Sequence, residues 1–315
     1  MTSSTIRPAN TVTEQVSPPL IAEVIEESAR LVDQHYVFPD VGADLARLLR
    51  QRLADGGYDG ADAEQLADLV TQDLRSLNGD GHLGLRHHHV PVPAEQGAAT
   101  LSRMRSDFDV SLGGVPLVRL LDGGVALLKL SPALFPLAWA AQPLAAALTL
   151  VAPASALILD VRGNGGGDPD TVAFICSYLL DERTHLNTMH WRDGERRERD
   201  DQSWTLPHVP GARFGGTKPV YVLIDGRTFS GAEELAYDLQ QLGRAVVVGE
   251  PSGGGAQPYE GWTVHPHLEV TVPTGRGVNP VSGTNWEGVG VQPDVACADA
   301  DALVLAHEAA RVAAA

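Results

Sequence analysis

The run Ala156–Leu157–Ile158–Leu159–Asp160–Val161 is short, almost wholly apolar, and ends in the glycine cluster Gly163–Asn164–Gly165–Gly166–Gly167. An unbroken apolar run of strand length suits a strand covered on both faces, because every side chain along it then meets apolar neighbours. The same grammar continues downstream. Asp168 stands where it can cap a helix with Pro169 in its first turn, running to about Leu180. Val220–Ile224 reads as the next strand, Ser230–Leu242 as a helix closed by Gly243, and Ala245–Val248 as a strand again. Strands alternating with helices predict a parallel sheet with crossover helices. Shorter strands are expected at Val115–Leu121 and Val125–Leu130.

Upstream the period changes to helical. Leu20, Val24, Ala29 and Val32 share a stripe, as do Leu45, Leu48, Leu49 and Leu53, and then Leu66, Leu69, Val70 and Leu74. Breakers at Pro39 and Gly56–Gly57 divide three helices, and Asn78–Gly79–Asp80–Gly81 marks a sharp turn. The expected organisation is a flexible lead-in over 1–19, a helical subdomain over 20–78, and an α/β core of mixed, largely parallel strands over 79–315.

Charge and cysteine use exclude several functions. A net charge of −17 without a basic stripe repels a phosphate backbone, so no nucleic-acid partner is expected. Cys176 and Cys297 alone give no disulfide framework. Residues 1–19 contain no apolar signal core, and the apolar stretch 134–156 is broken by Pro136, Pro143 and Pro153, which suits a buried helix better than a membrane span. A soluble, cytoplasmic chain with no membrane partner is expected.

Four segments carry candidate chemistry, and each has a plain structural reading beside it. Ser230–Gly231–Ala232–Glu233 fits a capping box before an apolar helix. A serine at a strand-to-helix turn also sits at the carboxyl end of the sheet, with the Gly231 amide available to a developing oxyanion. The glycine cluster after Val161 lacks the Gly-Lys-Ser/Thr of a phosphate loop and the spacing of a dinucleotide fingerprint. A bare turn, or backbone amides for an oxyanion or a peptide chain, remain. His82 follows the turn. His87–His88–His89 invites a metal, but neighbouring side chains on a strand point to opposite faces and no acid or thiol set joins them. No metal and no organic cofactor are expected. Glu287 lies between Trp286 and Gly288, as an exposed turn carboxylate or as a working acid.

Taken in order, these segments resemble the tail-specific (C-terminal-processing) protease clan, on the branch of the tricorn core and interphotoreceptor retinoid-binding protein. The resemblance covers roughly residues 20–310. It is most specific from Ser230 to Gly255, with Thr274–Gly275–Arg276, Trp286–Glu287–Gly288 and Pro293–Asp294 behind it, and His35–Tyr36–Val37–Phe38–Pro39 in the opening helices. It implies a ClpP/crotonase-like spiral, Ser230 as nucleophile, and oxyanion donors from Gly231 and from Gly165 or Gly166. Bacterial members use a lysine 25 residues after the serine, where this chain has Gly255, and its only lysines are Lys129 and Lys218. The tricorn-like arrangement uses His and Glu instead, which maps onto His82 as base and Glu287 as the residue that orients it. The serine that precedes the histidine in tricorn-like proteins is Gly81 here.

Serine at its free pKa needs a hydrogen-bonded base; histidine titrates near neutrality, and a carboxylate on its other ring nitrogen fixes the tautomer. Residues 83–123 are too few for the PDZ module that tail-specific proteases insert. The expected activity is therefore acyl-enzyme hydrolysis of a short peptide or a small ester or amide. An apolar-ligand container on the same fold, and a biosynthetic enzyme with the same triad, stay open as alternatives, as does assembly into a homo-oligomer.

Overall fold

The protein is described from a computed structural model over residues 17–92, 96–193 and 197–314. Most of the expected lead-in, and residues 93–95 and 194–196, lie outside the described residues. Three helices come first: α1 (Pro18–His35), α2 (Pro39–Ala54) and α3 (Ala63–Arg75). There follow β1 (Gly84–His87), α4 (Gln96–Val110), β2 (Leu117–Leu121), β3 (Val125–Lys129), α5 (Leu137–Val151), β4 (Ala156–Asp160) and α6 (Pro169–Leu179). Next are β5 (His185–Asp193), β6 (Arg197–Trp204), β7 (Val220–Ile224), α7 (Gly231–Gln241) and β8 (Val246–Gly249). The chain ends with β9 (Tyr259–His265), β10 (Leu268–Pro273), β11 (Gly275–Val278), β12 (Val295–Ala296) and α8 (Asp299–Ala313).

Two compact units result. The first holds the three expected helices together with residues 83–93 and 260–272. Its core joins Ile25, Val32, Leu45, Leu49 and Leu74 of the helices to Leu85 and Val270 of a small sheet ordered β1-β10-β9. The expected boundary at residue 78 therefore misses part of this unit. The helices alone leave an apolar face that β1 and the late β9–β10 pair cover. At α3, Asp62 accepts from the Gln65 N–H at 2.8 Å while the Gln65 side chain accepts from the Asp62 N–H at 3.1 Å, the reciprocal cap that fixes a helix start. His87 and His89 lie ring to ring at 5.2 Å, while His88 turns to Glu269 at 3.0 Å, as strand alternation requires.

The second unit is built on a six-stranded sheet in the order β12-β8-β7-β4-β3-β2. Every pairing is parallel except β2 with β3. β4 and β7 are buried along their whole length, as their apolar sequences require. Their residues alternate between two cores: Leu157, Leu159, Val222 and Ile224 face residues of α5, α6 and α7. Ala156, Ile158, Tyr221 and Leu223 face Ala302, Ala306 and Ala310 of α8. A separate three-stranded sheet, β11-β5-β6, has no counterpart among the expected strands. The stretch 134–156 does contain a helix, α5, with one buried stripe through Ala140, Leu144, Ala147, Leu148 and Val151.

Candidate active site

The chain reverses between the end of β7 and the start of α7, and Ser230 is the last residue of that turn. Asp225 accepts from the N–H groups of Gly163 at 2.9 Å and Arg227 at 3.0 Å, and the Phe229 N–H donates to the Asn164 carbonyl at 3.0 Å. These bonds tie the serine turn to the glycine cluster that ends β4. Ser230 itself has φ 51° and ψ −124°. A non-glycine residue rarely adopts positive φ, and such a conformation costs about 1–3 kcal/mol unless the surroundings enforce it. Glu233 enforces it here. Its buried carboxylate accepts from the Ser230 N–H at 2.7 Å, the Ser252 hydroxyl at 2.5 Å, and the Gly254 and Gly255 N–H groups at 2.7 and 2.9 Å.

Gly166 lies against this turn so closely that an added Cβ would stand 2.6 Å from the Ser230 Cβ. Its φ of 95° is a second reason that only glycine serves there. The amides of the cluster have separate duties. Gly165 donates to the Pro132 carbonyl and Gly166 to the Asn164 side-chain oxygen, both at 2.9 Å. The family resemblance implies one of these two glycines as an oxyanion donor beside Gly231, but the N–H groups of both are already engaged inside the protein. Gly167 and Gly231, with Ser230, instead line the adjoining pocket.

His82 is buried, at 6% exposure, and its ring lies 5.5 Å from both the Phe229 and Tyr259 rings. Phe229 is the residue before Ser230, so the imidazole stands beside the serine turn. The Nδ1 atom is 3.4 Å from Glu287 Oε1 and 3.8 Å from Asp80 Oδ1. The first distance is longer than a formed hydrogen bond, and catalytic contacts commonly tighten only with substrate bound. Glu287 is aimed by its other oxygen, which accepts from the Ala256 and Gln257 N–H groups at 2.7 and 3.0 Å. Asp80 is buried and accepts from the His82 N–H at 2.9 Å, which fixes the backbone that carries the imidazole. Ligand atoms of Asp80, His82 and Glu287 all fall within 4.8 Å of one another, so this cluster has the donor set of a cation site as well as that of a base and its orienting acids.

No side chain fits at the position where lysine stands in the Ser–Lys enzymes. A Cβ added to Gly255 would lie 2.1 Å from the Phe229 ring, which fills that space. Lys129 is held by Asp160 at 3.3 Å, and Lys218 caps the Ala152 and Ala154 carbonyls beside the Phe214 ring.

Beside Ser230 opens a pocket of about 450 Å³. Alternate residues of β5, Asn187, Met189 and Trp191, form one wall and Trp286 another. Glu234, one turn into α7, lines it as well and is buried, its carboxylate accepting among the described residues one hydrogen bond, from Asn187 at 3.2 Å. Burial pushes its carboxyl up to about 7 against the pull of that hydrogen bond, and the charge of Asp168 adds to the rise. Asp238, a further turn along, is raised well above the carboxylate range by burial and then by Glu234. Asp80, Glu234 and Asn187 join the site without a motif of their own in the sequence. Nothing in a sequence marks an acid as buried when it sits in the polar-looking first turn of a helix.

The family model described as peptidase family S41 matches residues 137–297, and that described as the N-terminal domain of peptidase S41 in eukaryotic IRBP matches residues 19–107. Among solved structures, the photosystem II D1 C-terminal processing protease superposes with a TM-score of 0.53 at 17% identity, covering 95% of this chain and 98% of that one. Mature CPAF superposes at 0.63 with 12% identity, covering 93% and 97%. The tricorn protease gives 0.55 at 13% identity over 94% of this chain and 37% of its own. These likenesses are of fold.

Proposed function

The chain belongs to peptidase family S41 and is a serine peptidase by kind, and on that premise we propose that Ser230, His82 and Glu287 form its catalytic triad. The observation that carries this reading is the strained turn at Ser230. A side chain held at φ 51° by the Glu233 carboxylate stands at the mouth of a pocket. Strain of that kind persists where the surrounding structure over-determines it, as at nucleophiles on strand-to-helix turns.

The chemistry follows from the atoms. With Nδ1 of His82 facing Glu287, Nε2 is the ring nitrogen offered to the serine hydroxyl. It takes the Ser230 proton as Oγ attacks the substrate carbonyl, and returns that proton to the leaving amine or alkoxide. Glu287 holds the tautomer and stabilises the imidazolium. The oxyanion is received by the N–H groups of Gly231, at the start of α7 as expected, and of Gly167 across from it, in place of Gly165 or Gly166. Water then releases the acyl group by the same route in reverse. A pocket of about 450 Å³ suits one side chain of a short peptide or a compact ester or amide, which supports a small substrate.

Labelling with a fluorophosphonate probe tests the assignment. The wild-type chain is expected to label covalently and Ser230→Ala not at all, while the variant unfolds within about 2 kcal/mol of wild type. Equal labelling of both removes Ser230 as nucleophile. The apolar walls of the pocket and the IRBP-type N-terminal match favour one other reading, a container for an apolar ligand. Tight binding of such a ligand to a chain that neither labels nor turns over esters would replace the catalytic reading.

A further inference from the structure

Buried carboxylates in proteins are normally matched by a cation or by several hydrogen-bond donors, because an ion removed from water without such partners is costly. Glu233 obeys that rule with four donors. Its neighbour Glu234 does not. It is buried too, at 7% exposure, its carboxylate bonded among the described residues only by the Asn187 amide nitrogen, and it forms part of the pocket beside Ser230. The oxygen of the same Asn187 amide, itself 3% exposed and lining the same pocket, has no hydrogen-bond donor among the described residues. Two buried acceptors thus converge on one cavity, the carboxylate with one donor and the amide oxygen with none among the described residues.

We propose that this pocket is a subsite for a lysine-like cationic side chain, carried by the substrate residue that bears the scissile carbonyl, with Glu234 as its counter-charge and Asn187 as a second acceptor. The inference rests on the reading of Ser230 as nucleophile. Glu234 lies four residues beyond Ser230, about 6 Å along the helix axis, which matches a stem of several methylenes between carbonyl and cation. The walls such a stem would cross are Met189, Trp191 and Trp286, apolar surfaces whose ring faces also attract a cation. The indole N–H groups of Trp191 and Trp286 have no acceptor among the described residues, which suits an occupant that brings peptide carbonyls with it. Asp170 and Asp201 stand exposed in the lining, and among the described residues no lysine, arginine or histidine does. A net charge of −17 draws cations toward this surface at long range.

The groups that face Glu234 are Asp238 on its own helix, Asp168 ahead of α6, and Cys176 within α6. Arg199 on β6 lies 5.7 Å from the Trp191 ring and is paired with Asp201 at 2.7 Å. With acids around it and a carboxyl that ionises at about 7, Glu234 offers its charge only toward the alkaline side of neutrality.

The test compares thiobenzyl esters of Nα-acetyl-lysine and Nα-acetyl-norleucine, equal in stem and different in charge, on the full chain from pH 5.5 to 8.5. The ratio of their kcat/KM cancels the titration of the catalytic base. It is expected to favour lysine by about tenfold or more at pH 8.5 and to fall toward one at pH 5.5. In Glu234→Gln the ratio should stay near one throughout. A lysyl-to-norleucyl ratio of one or less in wild type at pH 8.5 overturns the subsite. Calorimetric binding of the two Nα-acetyl amides to Ser230→Ala separates the two readings. Lysyl selectivity there without ester turnover in wild type removes the catalytic role and keeps the subsite, whereas equal binding of both amides removes the subsite whatever the turnover.

Discussion

Replacing Glu234 with glutamine should stabilise the protein, and by an amount that depends on pH. A carboxyl moved from 4.5 to about 7 binds its proton more tightly in the folded than in the unfolded chain. Stability therefore falls as pH rises between those two values, because the folded state must give up a proton it holds more strongly. At about 1.36 kcal/mol for each tenfold in proton affinity, the full cost above pH 7 is roughly 3 kcal/mol, and most of it appears between pH 5 and pH 8. Glutamine keeps the shape, still accepts from Asn187 Nδ2, and carries no charge to bury. Removing one of two facing acids also relieves Asp238. Urea unfolding of wild type and variant at pH 5 and pH 8, analysed with a common slope, measures the difference. The variant's advantage should grow by about 2–3 kcal/mol from the lower pH to the higher. An advantage that is the same at both pH values refutes the argument, since it would mean that Glu234 ionises in the fold as it does in water.

Two further outcomes follow from the site. Gly166→Ala should lower Tm and depress kcat/KM together, because its Cβ would press on the Ser230 turn from 2.6 Å; overpacking of this kind costs about 1–3 kcal/mol, and wild-type kinetics in a folded variant would contradict the close approach. Glu287→Gln should cut kcat on the order of 10³–10⁴-fold with KM little changed, while exhaustive chelation leaves wild-type rates intact. Activity lost to a chelator and restored by zinc would instead give Asp80, His82 and Glu287 to a metal ion.

What the sequence disclosed and what it withheld divide along physical lines. β4 and β7 were legible because strands buried on both faces are apolar at every position, and the runs 156–161 and 220–224 contain almost nothing else. β5 and β6 were not, since they mix His190, Arg192, Asp200 and Asp201 with apolar residues on a half-exposed sheet. α8 escaped notice because its buried stripe is only Ala302, Ala306 and Ala310, too small to mark a periodicity. The parts of the first unit drawn from 260–272 pair with β1 across most of the chain length, and no local pattern records such a pairing. In the site, Ser230, His82 and Glu287 stood out through their neighbours. The choice among the glycines did not, because it depends on which N–H groups meet Pro132 and Asn164 once the chain has folded.

Glu233 and Glu234 carry that point to its limit. They are adjacent, identical in chemistry, and placed in the same first turn of the same helix, where acids are favoured by the helix dipole whatever else they do. One turns toward the serine and gathers four donors, so its charge is satisfied and its task is to hold the backbone in a strained conformation. The other turns toward the pocket, meets one donor and two further acids, and has its carboxyl pushed up toward neutrality by burial. A capping motif accounts for the first and is silent about the second. The difference in duty comes from a rotation of about 100° around the helix axis between successive residues. That rotation puts one carboxylate against the Ser230 turn and the next into the pocket beside it.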